Sequence, residues 1–270
     1  MRDVIIIGAG PAGLSAAITL RARDKSVLVI SNPREQSGLY RAERVDNYPA
    51  LPAITGAELS DRLYAHAQSL GVEFVTGRVT SAMTTTRGTS VSYGSEVEES
   101  RALILALGTA QSSTLSGETE LLGRGVSYCA TCDGMLYRRR RVVVLAYAPD
   151  AHEEAEYLRG IGCDVTEITS KNVKIRGTER VDSVSVDGVT VPCDAVFVLR
   201  QTIAPTSILP SLTVVDGAIA SDRDGATNLA GVFAAGDCTG APRQVAKAVG
   251  DGQRAAFAAV KYLDTLKGGV

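Results

Sequence analysis

One outline occurs twice in this chain, and no other feature limits its fold so strongly. VIIIGAGPAGLSAAITL, residues 4–20, aligns without gaps on VVVLAYAPDAHEEAEYL, residues 142–158. Each copy has four apolar β-formers, a turn of small residues, a proline at the same place, and an amphipathic run ending in leucine. A strand that feeds a helix through a tight turn is the opening of a parallel βαβ unit. A chain carrying it twice is expected to be α/β, with two Rossmann-like domains around mainly parallel sheets. The copies differ at the turn, where Gly8, Gly10 and Gly13 face Ala146, Ala148 and Ala151.

Strand and helix patterns alternate along most of the sequence. VIIIG (4–8), the helical run 11–23 and VLVIS (27–31) complete the first unit. A helix near 58–70 and a strand at 71–77 follow, then a Thr/Ser/Gly-rich stretch suited to antiparallel strands, then the apolar run at 101–109. The second outline leads into a helix over 150–162, a strand at 163–169 and a hairpin-like segment at 179–199. Polar residues 111–125 and the proline-broken stretch 203–211 mark two domain crossings. The expected domains are therefore 1–111 with 211–270, and a shorter insert at 112–210. GVFAAGD (231–237) reads as a buried strand, and the residues after it as a long closing helix.

The balance of 28 basic against 30 acidic residues gives a charge of −2 and no electrostatic case for nucleic acid or a membrane surface. No apolar run is long enough for a membrane span, and the start does not resemble a signal peptide, so a cytoplasmic protein is expected. Five cysteines without a secretory signal favour redox, metal or core roles over a disulfide framework. Cys163, Cys193 and Cys238 are isolated and read as core. Cys129 and Cys132 form C-x-x-C, which alone permits half a zinc site, a dithiol pair or chance. Zinc needs further ligands, and the only histidines, His66 and His152, are single and distant.

At the first turn, the glycines have a physical purpose. The first permits the tight turn, the second lets the backbone approach a pyrophosphate, and the third lets helix pack on strand. The phosphate then sits at the helix N-terminus. The acidic residue expected some twenty positions on is absent. Ser31 and Asn32 stand there instead, which implies an altered adenosine contact.

With GAGPAG, VDNYPA, CATCDG, GVFAAGD and PRQVAKAVGDG in that order, the chain resembles the low-molecular-weight thioredoxin reductases over nearly its whole length. The resemblance implies a homodimeric flavoprotein of two dinucleotide-fold domains that binds FAD. Gly8, Gly10 and Gly13, with Pro11 and Ala12 between them, would bind its pyrophosphate. Asn47 would contact the flavin side, and Gly236 and Asp237 the ribityl and phosphate region. Arg243, Gln244 and Val245, opening the last helix, would lie along the isoalloxazine edge. The resemblance also implies that Cys132 faces the flavin, that Cys129 exchanges with the disulfide of a thioredoxin, and that Asp133 moves protons for the thiols.

The second turn departs from that family pattern. A methyl group at Ala146 or Ala148 disfavours positive φ and keeps backbone from a diphosphate, while Ala151 is tolerable. Tyr147 adds bulk and Asp150 a negative charge. SKNVKIRG replaces the family's arginine-rich phosphate motif, leaving Lys171, Lys174 and Arg176 scattered, and Arg200 and Gln201 occupy the returning corner. The pattern is most similar to the ferredoxin-dependent flavin thioredoxin reductases, which lack the same motifs. RRRR at 138–141 could then steer an acidic ferredoxin. An NADPH-dependent reductase, a two-flavin disulfide oxidoreductase and a non-catalytic flavin module are the alternatives.

Overall fold

A computed structural model describes residues 1–108, 115–128, 130–148, 151–200 and 204–267, the side chains of residues 131, 132 and 267 excepted. The chain divides into two compact units, residues 1–110 with 204–270, and residues 111–203.

The first unit begins with β1 (Arg2–Ile7), α1 (Pro11–Arg21) and β2 (Val27–Ser31). β1 and β2 pair in parallel, Val4 opposite Val27 through Ile7 opposite Ile30. Their unbroken apolar runs suit strands covered on both faces. α2 (Gly56–Ser69) starts where the Thr55 hydroxyl accepts from the Glu58 amide at 3.1 Å, a side-chain N-cap. β3 (Glu73–Thr76) then adds to β2. β4 (Val79–Thr85), β5 (Gly88–Tyr93) and β6 (Glu96–Leu105) form an antiparallel meander. β6 joins the two parts of one sheet: its first half lies antiparallel to β5 and its second half, from Ser100, runs parallel to β1.

The insert contains β7 (Val126–Ser127), α3 (Ala130–Asp133), β8 (Arg141–Tyr147), α4 (Ala151–Gly160) and β9 (Asp164–Ile168). β10 (Val173–Gly177), β11 (Val181–Val186), β12 (Val189–Pro192) and β13 (Ala195–Arg200) follow. A parallel sheet in the order β7-β13-β8-β9 carries the core, and β10-β11-β12 form a separate antiparallel layer. The hairpin expected over 179–199 is shorter than its sequence pattern. β11 and β12 turn tightly at Asp187 and Gly188, both at positive φ. β13, continuously apolar, leaves them to lie between β7 and β8.

The returning chain forms α5 (Pro205–Ile208), β14 (Val214–Val215), β15 (Ala218–Ile219), β16 (Val232–Ala234) and α6 (Val245–Lys267). The expectation of no regular element near 203–211 is corrected here: Pro205 opens α5, a position where its missing N–H costs nothing. α5 packs on β4, so residues 204–210 cluster with the first unit and not with the insert. β16 runs parallel to β6, Val232 opposite Leu103. α6 presses on α1 so closely that a Cβ added to Gly252 would lie 2.0 Å from the Ala12 carbonyl oxygen. The Ser15 hydroxyl donates to the Val249 carbonyl at 2.7 Å across the same contact. Among the described residues no helix is long and apolar enough to cross a membrane.

Candidate active site

The first turn is built around two close approaches and one opening. Gly8 has φ +110°, and a Cβ there would lie 2.2 Å from the Ala106 carbonyl oxygen. At Gly13 it would lie 1.9 Å from the Gly8 carbonyl oxygen, whereas Gly10 has nothing within 4 Å. α1 starts at Pro11 on a glycine cap, with no side-chain acceptor and no acidic residue in its first turn. The first amides of a helix have no intrahelical partner, and beside an unobstructed glycine they can take a phosphate.

A second turn backs the first. Gly236, at φ +83°, would place a Cβ 2.8 Å from the Ala12 methyl. Asp237 follows, half-buried, and its carboxylate accepts no hydrogen bond among the described residues. Burial pushes that carboxyl's pKa up, opposed by the charges of Lys247 and Arg243. The Lys247 ammonium is committed elsewhere, to the Gly236 and Gly240 carbonyls and the Thr239 hydroxyl at 3.0 Å each and to Asp251 at 2.9 Å. Asp237 therefore presents an acceptor suited to a hydroxyl donor.

Asn47 and Gln244 meet: the Asn47 amide donates to Gln244 Oε1 at 2.6 Å. Arg243 and Gln244 lie just before α6, and Val245, its first residue, packs against the Val45, Ile54 and Leu59 cluster. Arg243 is exposed, and Ser31 ends β2 with no partner for its hydroxyl among the described residues. Phosphate cradle, free carboxylate and amide pair all belong to one unit, and they fit a flavin dinucleotide.

In the insert, Cys129 lies outside the described residues, and so does the side chain of Cys132, whose backbone is part of α3. The residues around them are tied down on three sides. The Ser127 hydroxyl donates to Asp133 Oδ2 at 2.7 Å, the Ala130 amide to Glu154 Oε2 at 3.0 Å, and the Tyr128 hydroxyl to Glu118 Oε1 at 3.1 Å. Sequence reasoning singled out neither glutamate. Glu154 reads as an ordinary acidic first-turn residue of α4. Glu118 stands in a polar stretch yet is only 1% exposed. Beyond α3, Met135 and Leu136 are exposed, and so are Arg138, Arg139 and Arg140, which form no ion pair among the described residues. Arg141 pairs with Asp194.

The second turn of the repeat is filled from within. Ala146, Ala148 and Ala151 lie in or against the insert's core. Tyr147 and Arg200 are register partners at the C-terminal ends of β8 and β13, the edge where an open parallel sheet takes its ligand. The Arg200 guanidinium grips Glu118 with both arms, at 2.5 and 2.8 Å. The Tyr147 hydroxyl donates to the Ser170 carbonyl at 2.6 Å, and burial pushes that phenol's pKa up. Pro149, Asp150 and Gln201 lie outside the described residues. The Arg200 cation at this edge is thus neutralised internally, and the glycines that open the first turn to a dinucleotide are replaced by alanines here.

Cys163, Cys193 and Cys238 are buried, and burial pushes the thiols of Cys193 and Cys238 up to about 12 and about 11. His152, Glu156 and Glu167 form an exposed group of metal-ligand type, but Arg159 already bridges both glutamates.

A family model described as pyridine nucleotide-disulphide oxidoreductase matches residues 2–173 and 161–252. The thioredoxin reductase of Listeria monocytogenes is 32% identical over 98% of this chain and 95% of its own. A ferredoxin-flavin thioredoxin reductase from Clostridium acetobutylicum has a solved structure that superposes with a TM-score of 0.90 at 34% identity, covering 98% of both chains. A thioredoxin reductase from Gloeobacter violaceus superposes at 0.81 with 27% identity, over 98% of this chain and 94% of that one. With the glycine cradle in one unit and C-x-x-C in the other, the chain belongs to the pyridine nucleotide-disulphide oxidoreductase family, among its thioredoxin reductases, and is an oxidoreductase.

Proposed function

We propose that this oxidoreductase binds FAD and reduces a thioredoxin with electrons taken from a ferredoxin, not from NADPH. The observation that carries the donor reading is the strand edge of the insert, where Arg200 is locked to Glu118 and Tyr147 to Ser170. Likeness to the clostridial ferredoxin-flavin enzyme supports it.

Gly8, Gly10 and Gly13 would hold the FAD pyrophosphate, Asp237 a ribityl hydroxyl, and Asn47 with Gln244 the flavin end. Bound FAD supplies conversion of single electrons into a pair. In the thiol half-reaction, the Cys129 thiolate attacks the thioredoxin disulfide and forms a mixed disulfide. Cys132 then attacks Cys129, which releases dithiol thioredoxin and leaves a Cys129–Cys132 disulfide. Two electrons and two protons pass to thioredoxin, with Asp133 as the group that exchanges protons. Regeneration consumes two electrons from two reduced ferredoxins and two protons. Arg138, Arg139 and Arg140 would attract an acidic ferredoxin, and a homodimer accompanies this reading.

The test is anaerobic mixing of the flavin-loaded protein with NADPH or with reduced ferredoxin, followed by oxidised thioredoxin. Bleaching of the flavin by ferredoxin alone, with thiols appearing on thioredoxin, is expected. Rapid bleaching by NADPH overturns the donor, and failure of chemically reduced protein to reduce thioredoxin overturns the acceptor.

A further inference from the structure

We propose that Lys247 and Asp251 are positioning residues for FAD: from one face of α6 they grip Gly236 by its carbonyl and its amide, and so fix the direction in which Asp237 presents its carboxylate. The inference rests on reading Asp237 as a flavin-dinucleotide contact. Four positions apart, the two side chains are neighbours on the helix surface and pair at 2.9 Å. Asp251 Oδ2 accepts from the Gly236 amide at 3.3 Å, and the Lys247 ammonium donates to the Gly236 carbonyl at 3.0 Å. Lys247 also reaches the Thr239 hydroxyl and the Gly240 carbonyl at 3.0 Å each, so the whole short turn Gly236–Thr239 hangs on it. Asp251 is 7% exposed, and its other oxygen takes Arg254 at 2.5 Å, which leaves neither oxygen without a donor.

The Asp237 carboxylate accepts no hydrogen bond among the described residues, so the direction of its Cα–Cβ bond is inherited from the backbone on either side. That backbone is Gly236 before it and Thr239 and Gly240 after it, each tied to Lys247. Packing sets how far the helix stands from the turn. A Cβ at Gly236 would lie 2.8 Å from the Ala12 methyl and 3.6 Å from the Ala248 methyl, and Gly252, next to Asp251, is the point where α6 meets the Ala12 carbonyl. The turn is thus wedged between α1 and α6 and held to α6 by a charged pair. The same contacts bracket the loop of residues 241–246, which carries Arg243 and Gln244.

The test is release of FAD from the flavin-loaded protein on dilution, followed by the recovery of flavin fluorescence. Lys247→Met leaves Asp251 its Arg254 and Gly236 donors, so the fold is expected to persist while the dissociation constant rises about tenfold. Lys247→Gln, which keeps an N–H donor without the charge, should raise it about threefold, and Lys261→Met, at an exposed position of α6, should match wild type. Asp237→Ala should itself weaken FAD about tenfold. Lys247→Met added to Asp237→Ala should cost less than about twofold more, because a clamp that works through Asp237 then has nothing left to aim. The same cycle run with Lys247→Gln decides the matter if Lys247→Met does not fold. Unaltered release in the Lys247 variants, or equal costs with and without the Asp237 carboxylate, overturns the inference. An Asp237→Ala protein that releases FAD as wild type does overturns the reading on which it rests, and wild-type protein that never holds FAD overturns the proposed cofactor.

Discussion

The two turns of the repeat begin from the same strand–turn–helix outline and put their small residues to opposite uses. In the first, a missing Cβ is a condition of closure: Gly13 could not carry one without meeting the Gly8 carbonyl oxygen at 1.9 Å. In the second, the equivalent Ala151 carries its methyl without conflict and is 1% exposed within the core. Helix and strand are thus held closer in the first turn than in the second. One turn leaves space for a ligand, and the other packs its alanines into its own core. A duplicated outline therefore does not duplicate a site, because closeness of approach, and not the order of elements, decides what backbone amides can reach.

The comparison breaks most readily at the first turn. Gly13→Ala should strain it by roughly 1–3 kcal/mol and cost roughly ten- to hundredfold in FAD affinity, seen as loss of the yellow chromophore after purification. Full retention of flavin would show that the close approach is unnecessary. The insert is expected to respond in stability instead. Arg200→Ala leaves the buried Glu118 carboxylate with the Tyr128 hydroxyl and the Leu115 amide as its remaining partners, which costs about 1–3 kcal/mol and lowers the melting temperature while flavin content stays at the wild-type level. Loss of flavin in that variant would contradict the assignment of each turn to a separate role.

The smallest effect concerns Asp237. Its folded pKa is raised by burial, so its contribution to stability is complete below its unfolded value and is lost as pH rises through the folded one. Asp237→Asn should therefore raise the melting temperature of flavin-free protein at neutral pH while weakening FAD binding. The stability difference should close below about pH 4. A gain that persisted in acid would point to some other cause.

Much of the fold was legible because its strands are buried in parallel sheets and their apolar runs are unbroken, as in VIIIG and VLVIS. β10 and α5 escaped notice: β10 alternates with exposed charged residues, and α5 is a single turn opened by a proline. Pattern also overextended the hairpin, since the apolar run of β13 gives no sign of which sheet it joins. At the site, turn glycines were readable from local spacing. The Asn47–Gln244 contact spans 197 positions in sequence and has no local signature. Glu118 and Glu154 were hidden for a further reason: a glutamate in a polar loop or a first helical turn looks solvated until its partner is placed.

The contact of α6 with α1, through Gly252 and Ala12, bears on how the protein is made. Residues 8–13 leave the ribosome before the insert, but the helix and turn that back them follow it. The insert is contiguous and can fold while that remainder is still being translated. Cofactor loading thus awaits synthesis of α6, and a nascent chain stalled before α6 should already contain a folded insert beside a first unit not yet able to retain flavin.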